Sequence, residues 1–295
     1  MWNPFWGDMG NLAHSILDRL LNLTRQNRWN FTEVLVRYAL ERLIARVGKS
    51  SYSRMLILKG GTMFVVWQKG LVGRPTMDAD MEFRGEGTPE GLRRVFAEIM
   101  SIPMEDAIRF DLGLLSAGYI REDDQYGGVR VTTVAYMGNA KIPVQVDVGI
   151  GDAITPAARV SEYPLLLPAL PRAKMRMYPP ETSVAEKLET LVKRGVENSR
   201  MKDFYDLKVL FEIFDFDKEV LQSAVRRTFE RRRTPMPSGL PTALTDEFAS
   251  NAKKMAQWKG FCRKSRIEAI PLSEVLARLA DKVDEYELFS AQLHV

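Results

Sequence analysis

The sequence contains a single cysteine, Cys262, and only two histidines, His14 and His294. One cysteine excludes an internal disulfide and any structural zinc site built from cysteines. Because both histidines lie near the ends of the chain, neither a histidine-centred triad nor a histidine-rich metal site is expected. The chemistry must therefore come from carboxylates, lysines, arginines and hydroxyl groups.

The sequence also lacks a long apolar run. No stretch reaches the roughly 18 apolar residues of a membrane span, and the first residues have neither the basic region nor the apolar core of a signal peptide. The hydrophobic share of 45% and charged share of 27% are ordinary for a globular protein, and the net charge of +4 permits an anionic partner without requiring one. We expect a soluble, cytoplasmic protein that has no membrane partner.

The apolar pattern predicts an α+β fold in two lobes. After two leading helices, strands are expected at 55–58, 78–83, 129–134 and 142–148, and the last two read as an antiparallel hairpin. The segment 151–180 is rich in proline and is the best candidate for a boundary. Beyond it, helices are expected at 181–196, 202–214, 217–232, 243–260 and 272–292. This organisation predicts a catalytic lobe with a mixed or antiparallel sheet in residues 1–170 and a helical lobe in 171–295.

The first predicted strand runs directly into Lys59-Gly60-Gly61-Thr62. Glycines between a strand and a helix allow tight backbone geometry and can present N–H groups to a phosphate. Many ordinary strand-to-helix turns also use two glycines, so this motif alone does not distinguish a phosphate site from a simple turn.

The second predicted strand carries Asp78-Ala79-Asp80. Carboxylates two residues apart on a strand point to the same face, where they repel unless a cation lies between them. Magnesium suits such a pair, because it is usually held by one or two carboxylates and the phosphates of a substrate. The alternative is a solvated strand face.

A third carboxylate, Asp147, lies in an otherwise apolar strand. An acid there is costly unless it faces a metal, a cation or water, and a strand end that points to solvent is the simpler alternative. Together, the Gly-Gly turn, the Asp-x-Asp pair and a distant strand aspartate are what two-metal phosphoryl chemistry requires.

These residues resemble a known family. The matching blocks are Leu58–Thr62, Arg74–Phe83, Gln145–Asp152, Glu181–Leu188 and Arg200–Leu207. In this order they resemble the AbiEii-type nucleotidyltransferase toxins of the DNA polymerase β-like superfamily, whose fold the resemblance implies for the first lobe. The helices before residue 50 and the region after about residue 215 add little to the resemblance.

The resemblance implies a role for each acidic block. Asp78 and Asp80 would ligate Mg²⁺, with Mn²⁺ as an alternative, and Asp147 would be the third acidic group. Asp203 would be needed for activity and would orient Lys187 or the nucleophile. The alternative for Asp203 is a charge that favours the positive end of its helix dipole.

The resemblance also implies a nucleotide site. Gly60, Gly61 and Thr62 would cradle phosphate, and Lys187 would grip the triphosphate, although it lies beside an apolar helical stripe and could simply flank a core face. Lys59 and Arg74 are either triphosphate contacts or surface charges. Thr76 stands where relatives commonly have serine, so a hydroxyl is retained.

The implied function is a magnesium-dependent toxin of a type IV toxin–antitoxin or phage-defence system. It would transfer NMP from an NTP to RNA, with the 3′ end of tRNA favoured, and its antitoxin would be a separate transcriptional repressor that need not bind it stably. Alternatives are a nucleotidyltransferase or kinase acting on a protein or small molecule, and a catalytically silent module that binds NTP or RNA. The basic run Arg226–Arg233 could meet a phosphate backbone, but a solvated helix face is the commoner explanation.

Overall fold

The structure, a computed structural model, describes residues 5–69, 74–120, 128–268 and 270–289, with side chains described from residue 11 onward. Within these ranges, no helix has the length and apolar character that crossing a bilayer requires. The chain divides into two compact units. Unit 1 comprises the residues up to Gly151 together with Arg159–Met177, and unit 2 comprises Asp152–Ala158 together with the residues from Tyr178 onward.

Unit 1 combines a sheet with four helices among its described residues. The helices are α1 (Phe5–Asn27), α2 (Phe31–Lys49), α3 (Met63–Trp67) and α4 (Pro89–Met100). The strands are β1 (Leu56–Lys59), β2 (Ala79–Phe83), β3 (Arg109–Phe110), β4 (Ser116–Tyr119), β5 (Val129–Met137), β6 (Ala140–Ile150), β7 (Arg159–Tyr163) and β8 (Ala173–Met177).

The eight strands form one mixed sheet in the order β3-β5-β6-β2-β1-β8-β7, and β4 also pairs with β5. Strand β2 lies between an antiparallel neighbour, β1, and a parallel neighbour, β6. The predicted hairpin is confirmed, because β5 and β6 pair antiparallel around a tight turn at residues 138–139. Alternate residues of both strands are buried, so one face of the hairpin packs into the core and the other is left for polar side chains.

Helix α2 is the most deeply buried helix of this core. Its N-cap is Asn30, whose side chain accepts a hydrogen bond from the Glu33 amide. Most of its residues from Val34 to Val47 are buried. Arg46 donates to Asp106 at 2.6 and 3.1 Å and so fixes the loop that follows α4.

Unit 2 contains the helices α5 (Pro180–Arg194), α6 (Met201–Ile213), α7 (Lys218–Arg232), α8 (Asp246–Ser250), α9 (Ala252–Ser265) and α10 (Leu272–Glu285). The expected helix at 243–260 is divided, because Asn251 caps a new helix by accepting from the Lys253 and Lys254 amides. Helix α10 ends at Glu285 rather than at residue 292, and residues 290–292 lie outside the described residues.

The α+β fold class is confirmed, with a mixed sheet followed by helices. The sequence interpretation missed strands β7 and β8, which lie in the proline-rich segment that was read only as a boundary. Strand β8 continues the sheet beyond residue 170 by pairing parallel with β1. The division into lobes at 170/171 stays a prediction about folding units.

Candidate active site

The Gly-Gly turn lies at the end of β1. Gly60–Thr62 form one 3₁₀ turn that leads into α3, and the Thr62 hydroxyl donates to the Lys59 carbonyl at 3.0 Å. Gly60 has a φ of +68°, and a Cβ there would lie 2.0 Å from Oδ2 of Asp80. Position 60 therefore requires glycine for its backbone conformation and for the space that the Asp80 carboxylate occupies.

Asp80 is the central carboxylate of the site. It lies opposite Lys59 of β1 on one side and opposite Asp147 of β6 on the other. Its Oδ2 accepts a hydrogen bond from the Gly61 amide at 3.3 Å. Side chains at equivalent positions of neighbouring strands project from the same face, so Asp147 comes beside Asp80 although the two are far apart in sequence.

Asp78, Asp80 and Asp147 converge. Each is partly buried, and one carboxylate oxygen from each lies within 4.8 Å of the others. Three like charges at this separation are unfavourable without a cation, and carboxylate oxygens are the ligands that hard divalent cations prefer. The donor set therefore fits a divalent metal ion, and the geometry provides the shared face that the sequence pattern predicted.

Arg74 and Thr76 lie beside the Gly-Gly turn. A Cβ on Gly61 would lie 3.0 Å from Oγ1 of Thr76 and 3.3 Å from Nη2 of Arg74. The Arg74 guanidinium is also 5.8 Å from the ring centroid of Phe64 in α3. A hydroxyl and a guanidinium thus border the turn next to Asp80.

Lys59 is not a surface charge. Its side chain is only 13% exposed, and its ammonium lies 3.6 Å from a carboxylate oxygen of Glu82, whose side chain is fully buried. Glu82 stands two residues after Asp80 on β2, so it is a second acid on the same face of that strand. The sequence interpretation did not include Glu82, because its role depends on the antiparallel pairing of β1 with β2.

In unit 2, Lys187 donates to two aspartates. Its ammonium lies 3.0 Å from Oδ1 of Asp203 and 2.8 Å from Oδ2 of Asp206, and both aspartates are buried. The second oxygen of Asp203 accepts from Nε of Arg200 at 2.6 Å. Asp203 thus contacts Lys187, and it also lies in the first turn of α6, where its charge favours the positive end of the helix dipole, so the geometry is compatible with both of these roles. Asp206 and Arg200 are partners that the sequence interpretation did not assign.

A family profile for the nucleotidyl transferase AbiEii toxin of type IV toxin–antitoxin systems matches residues 42–284. The chain belongs to the AbiEii toxin family. Two solved structures are similar to it: JHP933 from Helicobacter pylori, and a candidate nucleotidyltransferase from H. pylori. JHP933 has 14% identity and a TM-score of 0.49, and the match covers 87% of this chain and 93% of that chain. The second has 16% identity and a TM-score of 0.49, with 86% and 95% covered. No curated protein sequence gives a significant match.

Membership of the AbiEii family implies that the chain has the fold of a nucleotidyltransferase toxin, uses a nucleotide substrate and has an antitoxin partner. The matched range includes every block on which the resemblance was based, from the Gly-Gly turn to Asp203. It also extends through the helices after residue 215, which had added little to the resemblance.

Gly60→Ala tests the close packing of this AbiEii turn. A methyl group would meet the Asp80 carboxylate and would also have to adopt a left-handed backbone conformation, which costs about 1–2 kcal/mol. We expect about a 10²-fold loss of nucleotidyl transfer, because a displacement of about 1 Å in a reacting group has an effect of that size. The matched control is Gly239→Ala, since a Cβ at that position meets nothing within 4 Å. Transfer by Gly60→Ala equal to that of the control would contradict the packing argument.

The charge of Asp203 makes a testable contribution to stability. Burial alone would raise the pKa of this carboxyl, but Lys187 and Arg200 outweigh burial and lower its pKa below the usual range. The unfolded chain then binds a proton more readily than the folded chain, so the stabilisation is complete above about pH 5 and is lost as the pH falls. Urea denaturation of the parent and Asp203→Asn should show a stability difference that shrinks between about pH 5 and pH 3. A difference that stays constant over this range would show that the ion pairs do not perturb Asp203.

Arg232 is the member of the basic run that the sequence interpretation misjudged. Its guanidinium lies 3.1 Å from Asp152, 3.4 Å from Glu186 and 2.9 Å from Glu189. Burial would lower the pKa of Arg232, but the acids around it outweigh burial and raise it. Arg226, Arg227, Arg231 and Arg233 are exposed. The run therefore contains one internal counter-ion and four surface charges.

Proposed function

We propose that this AbiEii protein is a cytoplasmic, Mg²⁺-dependent toxin that transfers NMP from an NTP to an RNA acceptor, namely the 3′ end of tRNA. The observation that carries the proposal is the convergence of Asp78, Asp80 and Asp147 on one face of the sheet. Family membership supports nucleotidyl transfer as the reaction class. The intact acidic triad argues against a catalytically silent module.

The reaction exchanges one phosphorus–oxygen bond for another. An acceptor hydroxyl oxygen bonds to the α-phosphorus, the bond from that phosphorus to the bridging oxygen breaks, pyrophosphate leaves, and the hydroxyl proton passes to water. Asp78, Asp80 and Asp147 would hold Mg²⁺ or Mn²⁺, which when bound would lower the pKa of the attacking hydroxyl and neutralise charge on the phosphates. Little covalent work remains for the protein, so its residues contribute position and charge.

Each residue of unit 1 has a defined part in this proposal. Asp78, Asp80 and Asp147 hold the cations. Gly61 keeps the turn close to Asp80, because its amide donates to that carboxylate. Arg74 and the Thr76 hydroxyl border the turn and are the proposed phosphate contacts there. Lys59 of β1 forms an ion pair with Glu82 of the neighbouring strand β2, and we propose that the lysine charge offsets the acids of β2. Gly60 and Thr62 shape the turn.

Lys187 is the proposed triphosphate lysine of unit 2, in keeping with the family resemblance. A lysine that donates to two buried aspartates has a fixed position, because moving it away would take a partner from two buried carboxylates. Asp203 and Asp206 are therefore positioning residues. Lys187 is largely buried by these contacts and is not an ordinary surface lysine.

Transfer of radiolabel tests the reaction and its acceptor. The protein is incubated with each α-labelled NTP and total RNA, purified tRNA, protein or small-molecule acceptors, in Mg²⁺ or in EDTA. We expect label on tRNA, at its 3′ end, with activity lost in EDTA and restored by Mg²⁺ or Mn²⁺. Label from γ- but not α-phosphate would instead identify a kinase, and label on protein or small molecules alone would exclude RNA as the acceptor.

The biological role has its own test. We propose that the toxin acts in a type IV system that contributes to phage defence, with a transcriptional repressor as an antitoxin that does not bind the toxin stably. Expression of the toxin should stop growth, and co-expression of a repressor encoded beside it should restore growth without co-purifying. Growth unaffected by the active enzyme would refute the toxin role in that host.

A further inference from the structure

One arginine lies directly on the metal-binding triad. Arg130 of β5 stands opposite Asp147 of β6 in the antiparallel register. Its Nε donates to Oδ1 of Asp147 at 2.8 Å and its Nη2 donates to Oδ2 at 2.7 Å. Gln145 adds a weaker contact to Oδ1 at 3.3 Å. Both oxygens of the third carboxylate are therefore engaged by one planar guanidinium, which is the strongest geometry for this kind of pair.

Arg130 differs from the structural arginines of unit 1. Its side chain is 46% exposed, whereas that of Arg46, which pairs with Asp106, is 3% exposed. Arg46 also donates to the backbone carbonyls of Arg42, Ile102 and Ile108, so it cannot leave without orphaning buried groups. The guanidinium of Arg130 is already in contact with water, so it is much less desolvated than that of Arg46.

The charge of the triad explains why an arginine is there. The three carboxylates lie within a few ångströms of one another, so their negative charges repel unless a positive charge is near. Arg130 supplies that charge from outside the triad. Its fork occupies the same oxygens that a divalent cation would use on Asp147.

We propose that Arg130 is an exchangeable counter-ion of the triad, which competes with the divalent cation for Asp147 and so keeps cation affinity low until nucleotide is present. The proposal rests on the proposed function only in taking the triad as the cation site. Arg130 releases Asp147 when the site fills, and the phosphates of the nucleotide then supply the additional ligands that favour filling. The enzyme without nucleotide thus offsets part of the negative charge of the triad with its own side chain.

Calorimetric titration with Mn²⁺ alone, without nucleotide, tests this competition. We expect Arg130→Gln to bind Mn²⁺ about tenfold more tightly than the parent protein, since the cation no longer displaces a charge-assisted pair. Arg130→Lys keeps the charge but loses the bidentate fork, so its affinity should fall between the two. The control is Arg84→Gln, which removes the same charge from an exposed arginine directly after β2 and should change affinity less than twofold.

The proposal would be overturned by unchanged affinity in Arg130→Gln, by weaker affinity in Arg130→Gln, or by an equal gain in Arg84→Gln. Weaker affinity would mean that Arg130 orients Asp147 for the metal, and an equal gain would mean that only net charge matters. Absence of Mn²⁺ binding in all the proteins would also overturn it, and thermal melting without metal verifies that each variant is folded. If Arg130→Gln binds Mn²⁺ tenfold more tightly but the parent protein transfers no label, this inference holds and the proposed function fails. If the parent protein transfers label but Arg130→Gln binds Mn²⁺ no more tightly, the proposed function holds and this inference fails.

Discussion

Asp80→Asn should abolish nucleotidyl transfer while leaving the protein folded. Asp80 is the central carboxylate of the triad, since it lies opposite Asp147 in the parallel register and two residues from Asp78. Loss of a metal ligand removes several kcal/mol of charge stabilisation, and at about 1.36 kcal/mol per tenfold this corresponds to about 10³ in rate. Transfer of α-label to tRNA measures the effect.

The choice of asparagine makes this test specific. An amide oxygen can still accept from the Gly61 amide, as the Asp80 carboxylate does at 3.3 Å, so the turn keeps its contact while the charge is lost. The control is Glu90→Gln, which removes an exposed carboxylate in the first turn of α4. If Asp80→Asn transfers label as fast as Glu90→Gln, the carboxylates have no part in the mechanism.

Among the substitutions proposed for this protein, Arg232→Met should cause the largest loss of folding stability. The substitution leaves Asp152, Glu186 and Glu189 without the cation that they share, and Thr234 still donates to Glu189. Breaking a largely buried ion cluster by removing one sign of charge costs about 3–5 kcal/mol, because the remaining charges stay desolvated. Urea denaturation of the full chain measures the change.

A neighbouring arginine provides the comparison. Arg227 lies on the same helix, α7, and is exposed, so Arg227→Met should alter stability by no more than about 0.5 kcal/mol. The triple variant Asp152→Asn, Glu186→Gln, Glu189→Gln on the Arg232→Met background should recover part of the loss, since it removes the uncompensated charge. Equal stability of Arg232→Met and Arg227→Met would refute the role of the cluster.

The fold could be predicted where periodicity was strong. Strands β5 and β6 alternate clearly over many residues, and the amphipathic helices of unit 2 repeat their apolar residues at helical spacing. Strand β3 has only two residues, and β7 and β8 have five each among prolines, so local pattern did not mark them. These strands exist because they pair with neighbours, as β8 does with β1, and pairing is not visible in a single segment.

The residues of the candidate site were likewise only partly predictable from the sequence. Asp78 and Asp80 were identifiable from their spacing on one predicted strand, and Asp147 because an acid in an otherwise apolar strand needs a local reason. Arg130, Glu82 and Asp206 were not, since their importance comes from the residue that each faces: Asp147, Lys59 and Lys187. Strand register and helix packing decide those contacts, and neither follows from spacing along the chain.

The position of β2 between β1 and β6 has a consequence for synthesis of the toxin. A chain emerging from the ribosome can pair β1 with β2 early, but it cannot add the third carboxylate until β6 has been translated and has docked in parallel beside β2. Fragments that stop before residue 140 would carry the Gly-Gly turn and the Asp-x-Asp pair yet lack a complete acidic cluster. The complete acidic triad can therefore form only after about half of the polypeptide has been translated and β6 has paired with β2.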